Sequence, residues 1–256
     1  MTESRIAGVA TIPGREAALA DVLERIAPQV NEIYVACNNY GDQDWHPAQD
    51  LSAKFDHKVV FRFPDHPDYT KNLPPLAFEV GRQDNNKATM LGVNSSPGYR
   101  FPLDDDILHP PTLIEDSIRA IEEYGRKCVV SWGGKRYDKH PIKSYYRSMS
   151  VALHALHDQM YDFPIHIPLS GAMSWHTDLI TFDTEKWVHP LMADLWAGLE
   201  CLEKGVPIMA LAHKKGYLVH SEKIDLTTTI WETEHLRDKI QTGLVNRQWP
   251  ALQWPT

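Results

Sequence analysis

The chain has 256 residues, 43% apolar and 23% charged, which suits a globular protein with a substantial core. Its formal net charge of −8 gives no whole-chain case for a nucleic-acid or membrane-surface protein. No stretch approaches the ~18 apolar residues of a membrane span, Met1 to Arg5 does not open a signal peptide, and the scattered Cys37, Cys128 and Cys201 suit core thiols in a reducing cytoplasm better than disulfides or a zinc site.

Ile6 to Thr11 reads as a buried strand that turns through Ile12-Pro13-Gly14-Arg15. The next helix sets Leu19, Val22, Leu23 and Ile26 on one face and closes at Pro28. Glu32 to Cys37 is a second strand, ending in the polar turn Asn38-Asn39-Tyr40-Gly41, and Lys58 to Phe63 is a third. Strand, helix and strand in alternation predict an α/β fold with a mainly parallel central sheet flanked by helices. In such sheets ligands bind beyond the carboxyl ends of the strands. Asp84 to Lys87 then opens a helix, where Lys87 would either meet a phosphate at the free first-turn amides or be an ordinary surface lysine.

Tyr99 to Leu103 is an apolar strand running into three consecutive carboxylates, Asp104, Asp105 and Asp106. Adjacent acids repel, so a cation is expected to hold them; hard oxygen ligands suit Mg²⁺ or Mn²⁺ bridging the phosphates of a nucleotide. The bland alternative is a solvated acidic turn. Thr112 to Glu115 has capping-box spacing and starts a helix carrying Ile114, Ile118 and Ile121, stopped by Gly125. Lys127 to Trp132 is a further strand.

Residues 126 to 147 hold seven bases against one acid, a local charge of +6, with Trp132, Tyr137, Tyr145 and Tyr146 interleaved. Such a segment suits an anionic or stacked acceptor, nucleic acid included, or else is a solvated loop with core aromatics. His154 and His157, three apart on an expected helix, lack further zinc ligands and read as surface or packing residues. Ser170 to His176 is a small-residue turn entering a strand. His189 to Asp194 leads into a helix with Leu195, Leu199 and Leu202, ended by Gly205. Pro207 to Ala212 is a strand before His213-Lys214-Lys215-Gly216-Tyr217, and a helix is expected around Trp231 to Ile240 before a tail bearing Trp249 and Trp254. No linker or repeat divides the chain, so one domain is expected over 1–256.

The glycine-rich dinucleotide fingerprint, the P-loop and the Gly-x-Ser-x-Gly elbow are all absent. What is present, in order, is Thr11 to Arg15, Asp84 to Lys87, Leu103 to Pro111, Gly171 to His176, Met192 to Trp196 and His213 to Tyr217. This succession resembles glycosyltransferases of the Rossmann-like GT-A fold, within family two and closest to a bacterial and phage-associated branch. The resemblance implies a nucleotide-sugar half over 1–110, an acceptor and catalytic half over 111–225, and a C-terminal helix and tail over 226–256. It places Thr11, Pro13 and Arg15 around the nucleotide, Asn38 or Asn39 near the base, and Lys87 near ribose or phosphate. Asp104 and Asp105 would meet the donor, with Asp106, Asp104 and His213 at a Mn²⁺ or Mg²⁺ ion. Asp194 stands where the family has its general base, although the usual Glu-Asp pair is Ala193-Asp194 here and an aspartate before Leu195 also reads as a helix cap. His176 would line the acceptor side or sit in the core.

The expected activity is metal-dependent transfer of a sugar from a nucleotide diphosphate donor, a uridine one by expectation, to an acceptor hydroxyl, with inversion implied by family membership. Two acceptors compete: a surface saccharide, favoured by the overall charge, and a hydroxymethylated base in phage DNA, favoured by 126–147. A nucleotidyltransferase and a catalytically silent nucleotide-sugar binding module are the alternatives from other classes. The expected location is the bacterial or phage-infected host cytoplasm.

Overall fold

The computed structural model describes residues 3–38, 51, 54–55, 58–62, 97–189, 191–224 and 238–248. Thirteen strands and four α-helices follow in chain order among these residues: β1 (Ser4–Thr11), α1 (Glu16–Ile26), β2 (Glu32–Cys37), β3 (Val59–Arg62), β4 (Gly98–Asp104), β5 (Ile107–Leu108), α2 (Leu113–Glu123), β6 (Val129–Ser131), β7 (Gly134–Arg136), β8 (Val151–Leu153), β9 (Phe163–Ile165), β10 (Ile167–Pro168), β11 (Met173–His176), α3 (Ala193–Glu203), β12 (Ile208–Ala210), β13 (Val219–His220) and α4 (Asp238–Gln248).

Eight strands form one sheet in the order β3-β2-β1-β4-β11-β6-β12-β9. The first four run parallel, as do β6 and β12, while β11 and β9 run antiparallel to their neighbours. This is the expected α/β architecture, with a mostly parallel central sheet flanked by helices. From β1 the chain winds outward to β2 and β3, then returns to β1's other side as β4. The winding therefore reverses between β1 and β4, and that switch point opens a crevice beyond their carboxyl ends.

Alternation along each strand divides the core into two layers. Ala7, Val9, Val35, Phe101 and Val130 face α1 and α2, burying Leu19, Val22, Leu23, Ile26, Ile114 and Ile121. Ile6, Val129, Met173, Trp175, Ile208 and Ala210 face α3 and α4, with Leu195, Leu199, Leu244 and Val245. Each face carries apolar residues at the period of two that a covered sheet requires.

Several expectations are corrected. His154 and His157 follow β8 in a turn, where their rings stack at 4.9 Å, and no helix carries them. The capping box at Thr112 does not form: its hydroxyl donates to the Asp116 carboxylate, and Glu115 pairs with Arg5. The C-terminal helix runs to Gln248, eight residues past its expected end at Ile240. Trp231, Trp249 and Trp254 lie outside the described residues, as does the helix expected at Asp84 to Lys87. No described helix is long and apolar enough to cross a membrane.

Candidate active site

β1 delivers Thr11 to the crevice, and Gly14, at φ +89°, makes the turn that returns the chain into α1 with Arg15 at its start. That conformation costs glycine nothing and other residues more. β4 delivers the acids in register with β1, Asp104 standing beside Ala10. β2 ends alongside, where the Asn38 amide donates to the Thr11 carbonyl (2.9 Å). Thr11, Pro13, Arg15, Asn38 and Asp104 to Asp106 thus come together around one switch point, while Asn39 and Lys87 lie outside the described residues.

Arg15 is the cation of this group. Its Nη1 donates to Asp105 Oδ1 at 2.8 Å and stands 3.6 Å from Asp106 Oδ2. Burial pushes the Asp105 carboxyl up to about 6; Arg15 opposes that shift, Asp106 adds to it, and the Thr11 hydroxyl, nearby but outside hydrogen-bonding geometry, opposes it. Asp104 lies well above the usual carboxylate range, first through burial and then through the charges of Asp106, Asp194 and Asp105, with Arg15 alone pulling it down. One guanidinium therefore does not balance the cluster.

The far wall comes from the loop between β10 and β11. Gly171 accepts the Asp104 amide at its carbonyl (3.1 Å), and Leu103 bridges Ala172. The Asp104 carboxylate lies where a side chain on Gly171 would be: a Cβ built there would fall 1.9 Å from Oδ1. Next to it, the Ser170 amide donates to Asp194 Oδ1 at 2.6 Å. Asp194 is the second residue of α3 and caps that loop instead of its own helix, so the helix-cap reading does not describe it. Leu191, at φ +60°, sits in strained backbone three residues earlier, at the bend that aims the start of α3.

Thr11 Oγ1, Asn38 Oδ1, Asp105 Oδ2 and Ser170 Oγ are buried here without hydrogen-bond partners. Buried polar atoms are rarely left so, and four at one crevice suit a polar ligand. Among the described residues no group of three or more His, Cys, Asp or Glu side chains could hold a metal ion alone. The chemistry still fits a hard divalent cation, since Mg²⁺-type ions commonly take one or two carboxylates and complete their shell with water and substrate phosphates.

His213 does not present a ligand in this arrangement. Its Nδ1 and Nε2 lie 2.9 Å from the carbonyls of Leu211 and Ala155, and its ring meets Trp132 edge to face. His176 takes the core alternative and not the acceptor side: buried, it pairs with Tyr99 at the start of β4 and contacts Glu3 and Arg126, away from the crevice. The aromatics of 126–147 are mostly core, with Trp132, Tyr137 and Tyr145 at most 5% exposed, so they form no platform for stacked bases. Arg126 is paired to Glu3 and Glu122, and Arg136 to Asp138. Nothing in the sequence shows the parts that Ser170 and Gly171 play, although both lie in the small-residue turn before β11.

No protein-family model matches the chain, and no curated protein does. Among solved structures, glucosyl-3-phosphoglycerate synthase from Mycobacterium tuberculosis in complex with Mn²⁺, uridine diphosphate and glucosyl-3-phosphoglycerate is 17% identical at a TM-score of 0.36, covering 50% of this chain and 43% of that one. The same enzyme with uridine diphosphate gives 17% and 0.36 over 54% of this chain and 46% of the other. With Mn²⁺, uridine-diphosphate-glucose and phosphoglyceric acid it gives 18% and 0.34, over 50% and 43%. The chain therefore spans less than half the length of these proteins.

Proposed function

We propose that the protein is a glycosyltransferase of the GT-A type, which moves a sugar from a nucleoside diphosphate donor, a uridine one by preference, to an acceptor hydroxyl. One observation carries this reading: Asp104 and Asp106 at the switch point and Asp194 on α3 approach one crevice from opposite walls, leaving negative charge that Arg15 does not balance. Six motifs in family order support it. Acceptors of duplex DNA are not favoured, because three of the four aromatics that suggested them, Trp132, Tyr137 and Tyr145, are buried.

The roles follow from position. Thr11 and Asn38, each with a buried side-chain oxygen that has no hydrogen-bond partner, line the side where a nucleotide and its phosphates would lie. Asp106 and Asp104 would hold Mn²⁺ or Mg²⁺ together with the donor phosphates. When bound, the ion supplies Lewis-acid stabilisation of the departing diphosphate. Arg15 holds Asp105 and faces Asp106, so it fixes the acidic loop from below; the Ser221 amide, bonded to the Asp106 carbonyl at 2.9 Å, fixes its far side. Asp194 takes the proton of the acceptor hydroxyl as its oxygen attacks the anomeric carbon, and the nucleoside diphosphate leaves with inversion.

The test is release of nucleoside diphosphate from a panel of sugar nucleotides with Mn²⁺ or Mg²⁺. Release that chelator abolishes and Asp106→Ala removes would support the reading. Release of pyrophosphate in its place would mean a nucleotidyltransferase, and no release from any donor would leave a binding module.

A further inference from the structure

Lys135 is placed unlike the other bases of its segment. It lies in the middle of β7, half-buried, opposite Ile167 of β10. Directly opposed residues of an antiparallel pair carry their side chains on one face. For Ile167 that face is covered by α3, since a Cβ on Gly198 would meet Ile167 Cδ1 at 2.6 Å and the His166 carbonyl at 2.5 Å. Gly198 is four residues beyond Asp194 and so shares its side of the helix. Strand register and helix period thus bring Lys135 and Asp194 to the same space.

Tyr145 stands between them. Lys135 Nζ donates to its hydroxyl at 3.2 Å and lies 4.6 Å from its ring centre and 5.7 Å from that of Tyr146. The phenol is 2% exposed, and the charge of Asp194 adds to burial in disfavouring its ionisation. Arg126 and Arg136 are neutralised by carboxylates, whereas Lys135 makes no ion pair among the described residues. Its ammonium has three donors and one is directed to Tyr145. A half-buried ammonium held between two rings beside the proposed base is a prepared seat for an anion.

We propose that Lys135, steered by Tyr145 and Tyr146, binds an anionic group of the acceptor, a phosphate or a carboxylate, and so presents a nearby hydroxyl to Asp194. The inference rests on the transferase reading and narrows it to acceptors that carry a negative charge.

The experiment measures nucleoside diphosphate release by the Mn²⁺-loaded protein with matched acceptors: glucose 6-phosphate against glucose, and glycerate against glycerol. The charged member of one pair should be preferred about tenfold or more, the scale of a lost charge-assisted hydrogen bond, and which pair responds separates phosphate from carboxylate. Lys135→Gln should erase that preference by raising KM for the charged acceptor, and Lys135→Arg should retain much of it. Lys135→Met, which keeps the stem over the rings, serves if the glutamine variant fails to fold. Equal use of neutral and charged acceptors, a preference that survives in Lys135→Gln or Lys135→Met, or no acceleration by either charged acceptor overturns the proposal. Failure of the wild type to release nucleoside diphosphate from any donor would instead remove the transferase reading beneath it.

Discussion

Gly171→Ala tests the crevice with a single methyl group. The backbone at 171 is not left-handed, so alanine meets no conformational penalty there. Its Cβ would fall 1.9 Å from Asp104 Oδ1 and Cγ and 2.1 Å from Oδ2. Real Cβ atoms essentially never come within 3.0 Å, so the carboxylate must retreat by at least 1.1 Å or the loop must move. The loop is held on both sides, by the Asp104 amide on the Gly171 carbonyl and by the Ser170 amide on Asp194. The Asp104 side chain is therefore what swings. Overpacking of this kind costs about 1–3 kcal/mol, and in a chain of this size each kcal/mol lowers Tm by roughly 2–4 °C. Misplacing a positioning group by about 1 Å costs on the order of 10²-fold in rate. Gly171→Ala should thus stay folded by circular dichroism while kcat/KM for nucleoside diphosphate release falls about 100-fold. Near wild-type activity with an intact fold would refute the placement of Asp104 in the reacting crevice.

Asp194→Asn keeps an oxygen for the Ser170 amide but removes the base, so kcat should fall ~10²–10⁴-fold with donor KM little changed; unaltered acceptor-dependent kcat would exclude the role. Asp104 has a folded-state pKa raised above its unfolded value, so its contribution to stability is present below the unfolded value near 3.8 and is lost as pH rises through the folded one. With chelator present, Asp104→Asn should therefore raise Tm at pH 7.5 and leave it nearly unchanged near pH 4; a lower Tm at pH 7.5 would contradict the uncompensated cluster. Thr242→Ala and Asn246→Ala each strip a side-chain acceptor from a backbone amide in the 142–146 loop, at about 1–3 kcal/mol apiece. Both should lower Tm by several degrees in thermal melts, and unchanged melts would mean that α4 does not hold the loop.

Local pattern made the first half of the fold readable. Leu19, Val22, Leu23 and Ile26 declare α1 by spacing, and Glu32–Cys37 is found where its apolar run lies. The acids after Leu103 mark the carboxyl end of β4 because an apolar strand cannot continue into three charges. The second half is built from strands of two to four residues, too short to show a period. β11 enters antiparallel between β4 and β6, about seventy residues of chain away from β4, and periodicity says nothing about such a partner. That insertion puts His176 at the amino end of β4, buried as its core alternative has it, and Gly171 against Asp104. The family resemblance implies a metal-ligand role for His213, yet its ring nitrogens lie against main-chain carbonyls that no sequence pattern announces.

α4 closes on the loop after β7 through contacts that span 92 to 104 residues: Asp238 to the Tyr146 amide, Thr242 to the Tyr145 amide, and Asn246 to both the amide and the carbonyl of Ile142. These bonds hold the segment on which Tyr145 leans toward Lys135 and Asp194. During synthesis, at roughly 5–20 residues per second, β1 and β4 emerge several seconds before residue 246, whereas the far wall of the crevice waits for Ser170, Gly171 and Asp194. The strands that carry the acids are thus made first, and the loop that holds Tyr145 is fixed only as the last described helix arrives.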